Sequence, residues 1–128
     1  MNRRLRWLLL AGLSALAACS HDTSAPTAGT LNVNLASPNS DDGAVLFTVS
    51  GGPIDSVASP GHQIYSARLD SSTLRLIVTG DLGSGTIATI YVADMRLASS
   101  YSATVNQVAA RESYTQREAA SYLLTLSP

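Results

Sequence analysis

The sequence has no lysine, and it holds a single cysteine, a single tryptophan and a single phenylalanine in 128 residues. Each scarcity removes a class of function. All eight cations are arginines, set against nine acids, so there is no clustered basic face for phosphates and nucleic acid is excluded as a partner. One cysteine forms no internal disulfide, and a cysteine that carries an acyl group leaves no thiolate for a metal. The tryptophan is Trp7, in the N-terminal apolar run, so the chain beyond that run has no indole platform for a sugar. Catalytic patterns are missing as well. Beyond residue 30 the one histidine is His62, in a Pro60-Gly61-His62 turn, where it reads as a solvated loop residue. No serine stands in a Gly-x-Ser-x-Gly elbow and no carboxylate pair stands out. The expectation is a non-enzymatic chain without a cofactor.

What is present begins with Arg3, Arg4 and Arg6, followed by an apolar run from Trp7 to Ala18. Positive charge, an apolar core and small residues before a cut are the parts of a secretory signal peptide. The run is twelve residues, short of the roughly 18 that a spanning helix needs. It ends in Leu16-Ala17-Ala18-Cys19, which resembles the lipobox of bacterial lipoproteins. That resemblance implies a diacylglyceryl group on the Cys19 thiol, cleavage between Ala18 and Cys19, and acylation of the new amino terminus. One acyl chain holds a protein only marginally, whereas two or more hold it firmly. The competing reading is a plain secretory signal that leaves Cys19 as a free thiol. The residue after the cysteine is Ser20 rather than aspartate, which under the bacterial sorting rule implies the outer membrane, with the periplasmic or surface face left open.

Without residues 1–18, 110 residues remain, with five arginines against nine acids and a formal charge near −4. That is one domain's length. Residues 19–30 are rich in Ser, Thr, Ala, Pro and Gly and read as the lipidated terminus and a flexible tether, reaching roughly 3.3 Å per residue. His21 and Asp22 fall here and take no role.

From Leu31 the hydrophobic period is two. Leu31, Val33 and Leu35 alternate with asparagines, a half-buried strand. Ala44–Val49 is a continuous β-forming run expected to be buried on both sides or to lie at the centre of a sandwich, and Ile54–Ala58 reads as a short edge strand. Gln63–Asp70 alternates weakly through Ile64 and Leu69. Thr73–Thr79 sets Leu74, Leu76 and Val78 on one face, and Thr86–Val92 is expected to pair with it as a hairpin across Gly80–Gly85. Tyr101–Ala109 and Tyr122–Leu126 give further strands, and Arg111–Ala120 reads as a hairpin loop or one helical turn. Seven to nine short strands over residues 31–128 predict an all-β fold, an antiparallel Greek-key or jelly-roll β-sandwich.

The order of features is similar to the cohesin and carbohydrate-binding β-sandwiches. The likeness rests on Ala44-Val45-Leu46-Phe47-Thr48-Val49 before Gly51-Gly52-Pro53, on Leu74–Val78, Gly80–Gly85 and Ile87–Val92 in succession, and on Tyr101–Ala110. It implies a jelly-roll used for binding and carries no recognition residue across.

Candidate sites emerge from residue type. Asp41 and Asp42, in Asn39-Ser40-Asp41-Asp42-Gly43, are weak candidates for a cation, because Ca²⁺ needs six to eight oxygens and turns select the same residues for backbone reasons. Tyrosines on strands are expected to pack with the hydroxyl at the rim. Tyr65 and Tyr114 lie in the less apolar stretches and are the candidates for ligand contact. The reading is a lipid-anchored envelope sandwich presenting a protein-interaction surface of cohesin-like type. The alternatives are a carbohydrate- or small-ligand-binding module and a purely structural envelope component, so the expected partners are the membrane, through Cys19, and an envelope protein or polysaccharide.

Overall fold

Alternation of apolar and polar side chains gives each strand of this chain one face that must be taken out of water, and two sheets meet over those faces. The computed structural model describes residues 25–128; the signal segment, Cys19 and the tether as far as Ser24 lie outside the described residues. Nine strands form: β1 (Gly29–Ala36), β2 (Asp42–Ser50), β3 (Ile54–Ala58), β4 (Gln63–Asp70), β5 (Thr73–Leu82), β6 (Gly85–Val92), β7 (Ser102–Ala110), β8 (Gln116–Arg117) and β9 (Leu123–Ser127). All pairings are antiparallel, in a four-stranded sheet of order β3-β6-β1-β9 and a five-stranded sheet of order β4-β5-β2-β7-β8. The fold is the antiparallel β-sandwich that the strand pattern predicts, with β1 starting at Gly29, two residues before the expected boundary.

The core is built from alternate positions of the strands: Leu31, Val33 and Leu35 from β1, Val45, Phe47 and Val49 from β2, Leu74, Leu76 and Val78 from β5, and Ala88 and Ile90 from β6, where a register shift also turns the preceding Ile87 inward. Phe47 is fully buried at the middle of the central strand of its sheet. Ala44–Val49 is thus at the sandwich centre, buried on one face. Ile54–Ala58 is an edge strand, as expected.

The expected hairpin between β5 and β6 does not form. β5 pairs with β2 and β4, whereas β6 pairs with β1 and β3, so the two strands sit in opposite sheets. Both carry inward apolar residues, and facing each other across the core buries both faces. Strand β5 also runs on to Leu82, which is buried, and only Gly83 and Ser84 carry the crossing. In-sheet hairpins occur instead at β4–β5 and β7–β8. On β4, Ile64 packs against the core as expected, but Leu69 sits at a register shift between Arg68 and Asp70 and is 51 % exposed. Arg111–Ala120 contains elements of both readings, the two-residue β8 preceded by a turn and followed by a one-turn 3₁₀ helix at Ala119–Ser121.

The registers give the sandwich two distinct ends. Residues 25–28 enter at the end that carries the β2–β3 turn, Ser71-Ser72 and the 3₁₀ helix Met95–Ser100. There the Met95 amide donates to the Thr27 carbonyl at 2.7 Å. Asp94 caps the helix through the Arg96 amide, and the Arg96 guanidinium beside it pulls the carboxyl down to about 2. Gly51 is needed at this end, because its φ of 118° is unfavourable to a side chain and a Cβ would collide with the Ser100 carbonyl. The β1–β2, β3–β4, β5–β6 and β7–β8 connections gather at the opposite end, away from where residues 25–28 enter, and the β8–β9 connection passes beside Ala103–Val105 of β7.

Two outcomes are expected. Phe47→Ala should lower unfolding free energy by about 3–5 kcal/mol in denaturant titration, with the neighbouring outward substitution Leu46→Ala costing far less. Because the folded Asp94 carboxyl titrates below its ordinary 3.8, its contribution is present above that value and is lost as pH falls toward about 2. Thermal melts between pH 5 and pH 2 should therefore show a decline that Asp94→Asn flattens.

Candidate functional site

Outward-facing residues of the five-stranded sheet fall into rows that the strand registers define. The first row runs Gln63, Thr79, Ala44, Ala109, Gln116 across all five strands. The second runs Tyr65, Ile77, Leu46, Gln107, and the third Ala67, Arg75, Thr48, Thr104. Arg75 is the only charge in these rows. A sheet face with its opposite side in the core ordinarily carries charged residues toward water, and this one carries amides, hydroxyls and carbon.

Tyr65 is 60 % exposed and Tyr114 is 82 % exposed, so both sequence-chosen tyrosines stand in solvent, and the structure brings both to this one face. The packing expected of tyrosines holds for Tyr101 and Tyr122, which are buried. It fails for Tyr65, which is on the edge strand β4, for Tyr114, which is in a turn, and for Tyr91, which points off the other sheet and is 42 % exposed.

Tyr114 has φ 56°, the one non-glycine residue at positive φ among the described residues. The turn that imposes this is closed by the Ala110 amide donating to the Thr115 carbonyl at 2.9 Å. Its side chain borders two hollows over the sheet. One lies toward Leu46, Ile77 and Gln107. The other, about 310 Å³, is floored by Gly43, Ala44, Gly80, Ala109 and Ala110, where small residues leave room beside the ring. A hollow of that size, lined mostly with carbon, takes one or two side chains rather than a large polar ligand. A third depression lies between Tyr65, Leu46 and Arg75.

Strand β8 has only two paired residues and cannot by itself hold this turn in place. Its Arg117 does so. Arg117 Nη1 donates to Asp42 Oδ1 at 2.8 Å and Nη2 to Asp41 Oδ1 at 2.7 Å. Asp42 is fully buried, and its carboxylate also accepts from the Tyr122 hydroxyl at 2.8 Å and from the Ser37 hydroxyl. Asn39 in turn donates to Tyr122 Oη at 2.9 Å. Bonding to Asp41 raises the Arg117 pKa, and the same contact lowers that of Asp41. Asp42 is therefore the start of a strand, taken up by an arginine and two hydroxyls, rather than a cation ligand in an open turn. Among the described residues no group of three or more His, Cys, Asp or Glu is placed to hold a metal. Sequence reasoning missed this cluster because a register shift between Asp42 and Ala44 reverses the in-out phase of β2, which makes an apparently outward acid point inward.

His62 differs from its expected solvated state. It is half-buried, with Nε2 3.2 Å from the Asp81 carbonyl and its ring lying where a Cβ on Gly80 would be. The side chain of Asp81 is ion-paired with Arg111. His62 closes the β3–β4 connection onto β5, and no nucleophile or carboxylate is hydrogen-bonded to it.

Asp42→Ala should cost about 1–3 kcal/mol, since it removes the buried acceptor of the Tyr122 and Ser37 hydroxyls and leaves Arg117 only Asp41, while Arg111→Ala, which breaks an exposed pair, should cost under about 1 kcal/mol. Urea unfolding of the two variants checks the contrast. Comparison with protein-family models, with curated proteins and with solved structures finds no match to this chain.

Proposed function

We propose that this chain is a lipid-anchored, non-enzymatic module of the bacterial outer membrane that presents the outer face of its five-stranded sheet to an envelope protein, in the manner of a cohesin-like domain. The anchor is Cys19, acylated after cleavage behind Ala18, and the support for it is the Leu16-Ala17-Ala18-Cys19 motif following three arginines and a short apolar run. The observation that carries the binding reading is the nearly uncharged row Tyr65, Ile77, Leu46, Gln107 with Tyr114 over its end. Exposed tyrosines beside aliphatic residues, with Arg75 as the one charge among them, is the composition of a protein interface centre. Entry of the tether at the far end of the sandwich leaves the Tyr114 hollows toward the side away from the membrane.

A carbohydrate is the second reading, and the side-chain amides of Gln107 and Gln116 flanking Tyr114 are what favour it. Capture from envelope extracts on immobilised full chain distinguishes them. A protein retained by the unaltered chain and lost with Tyr114→Ala supports the first. Retention of no protein, with thermal stabilisation by soluble polysaccharide that Tyr114→Ala abolishes, replaces the protein by a glycan. Neither result leaves a structural envelope component. Mass spectrometry of the N-terminal peptide should show acylation at Cys19 that Cys19→Ala removes, and an unmodified Cys19 in the native membrane contradicts the anchor.

A further inference from the structure

The layout of the outer face decides what can cover it. Given that this face is the recognition surface, we infer that one protein it binds is a second copy of this chain, packed face to face about a two-fold axis that runs along β2. Strand β2 is the middle strand, with β4 and β5 on one side and β7 and β8 on the other. Rotation about an axis parallel to β2 lays the β4 side of each copy over the β8 side of the other and leaves every residue at its own height along the strands.

The rows are complementary under that operation. In the second row Leu46 lies on the axis and meets the second copy's Leu46, while Ile77 meets Gln107. Tyr65 has no fifth-strand counterpart in its row, because β8 pairs only with Val108 and Ala109. It therefore falls opposite the open end of the row, next to the second copy's Gln107 and Gln116, which line the hollow that Tyr114 borders. In the third row Arg75 meets Thr104, so the one charge on the face finds a hydroxyl rather than another arginine. In the first row Gln63 meets Gln116, and the small Ala44 lies on the axis. Tyr65 projects where the opposing row is open, Thr79 meets the small Ala109, and no two like charges are set against each other.

Area and tether place a condition on this pairing. Five strands spaced about 4.8 Å and the six steps from Ala44 to Ser50 give a face near 20 Å by 20 Å, so two copies bury on the order of 800 Å². Stable interfaces begin at roughly 1,200 Å², so free chains should associate weakly. An axis parallel to the strands leaves both N-terminal ends on the same side, which lets both copies be anchored in one membrane, where confinement raises the effective concentration. An axis across the strands would send the two tethers in opposite directions.

The test uses the full chain in phosphatidylethanolamine–phosphatidylglycerol vesicles and, separately, in detergent micelles. Photo-oxidative tyrosine cross-linking followed by peptide mass spectrometry should give a covalent dimer joined through Tyr65 and Tyr114. Tyr65→Phe should remove that link, and sedimentation in detergent should show a monomer–dimer equilibrium that moves with protein concentration. Leu46→Glu, which sets two carboxylates against each other on the axis of a half-buried outward site, should reduce cross-linked dimer about tenfold or more with the melting temperature kept. A chain that stays monomeric throughout and gives no dimer on vesicles overturns the inference, as does a dimer linked through Tyr91 or one indifferent to Leu46→Glu. Should the chain stay monomeric while a different envelope protein is retained and lost with Leu46→Glu, self-pairing is wrong and the recognition face stands. Retention that Leu46→Glu and Tyr114→Ala leave untouched removes the face itself.

Discussion

The buried carboxylate of Asp42 is the contact on which the Tyr114 end of this molecule depends. It is completely removed from solvent and is surrounded by Arg117 of β8, Tyr122 of the β8–β9 connection and Ser37 of the β1–β2 connection. A buried acid is tolerated only when its oxygens are satisfied and its charge is met, so the four groups must assemble together. Their assembly draws the start of β2, the two-residue β8 and the entry to β9 to one point. Tyr114 lies three residues before Arg117, and the ring's overhang on the outer sheet face follows from that anchorage together with the closed turn at Ala110 and Thr115.

The apolar half of the structure works differently. Phe47, Leu76, Val33 and Ile90 are buried by alternation alone, without directional bonds. Those contacts hold two sheets together and leave the outer faces to composition. On the five-stranded sheet that composition is nearly free of charge. On the opposite edge of the sandwich Arg68, on β4, turns in to donate to the Ile54 carbonyl at 2.8 Å and so binds the β4 edge to β3, an inward charge of the kind that keeps an edge from pairing with foreign strands. Association through the flat face is thus left open where association through that edge is discouraged.

Much of the architecture was legible in the sequence, because a period of two and the glycine, proline and serine breaks report local geometry. Leu31 to Leu35, Leu74 to Val78 and the short edge strand Ile54–Ala58 are where the pattern puts them. Lateral pairing was not legible. The short glycine-containing connection between β5 and β6 has the appearance of a hairpin, and nothing local in Thr73–Val92 tells a strand whether to lie beside its neighbour or across the core from it. Phase was lost wherever a bulge intervened. The shift between Leu46 and Phe47 against β7 moves inward residues from Ala103 and Val105 to Val108 and Ala110, and the shift at Asp42 hid the buried acid. Tyr65 and Tyr114 were separable from the packed tyrosines by the polarity of their neighbours, but their meeting on one face depends on pairings that only the folded chain supplies.

Residue-resolved amide hydrogen exchange on Arg117→Gln tests this account most directly, since glutamine keeps a polar side chain but cannot neutralise Asp42 or span both acids. The account predicts that protection collapses at Ala110, Thr115 and Arg117 and across 118–122, while amides of β1, β2, β5 and β6 keep theirs. Unchanged protection in the 110–122 segment, or an equal loss across both sheets, would contradict it.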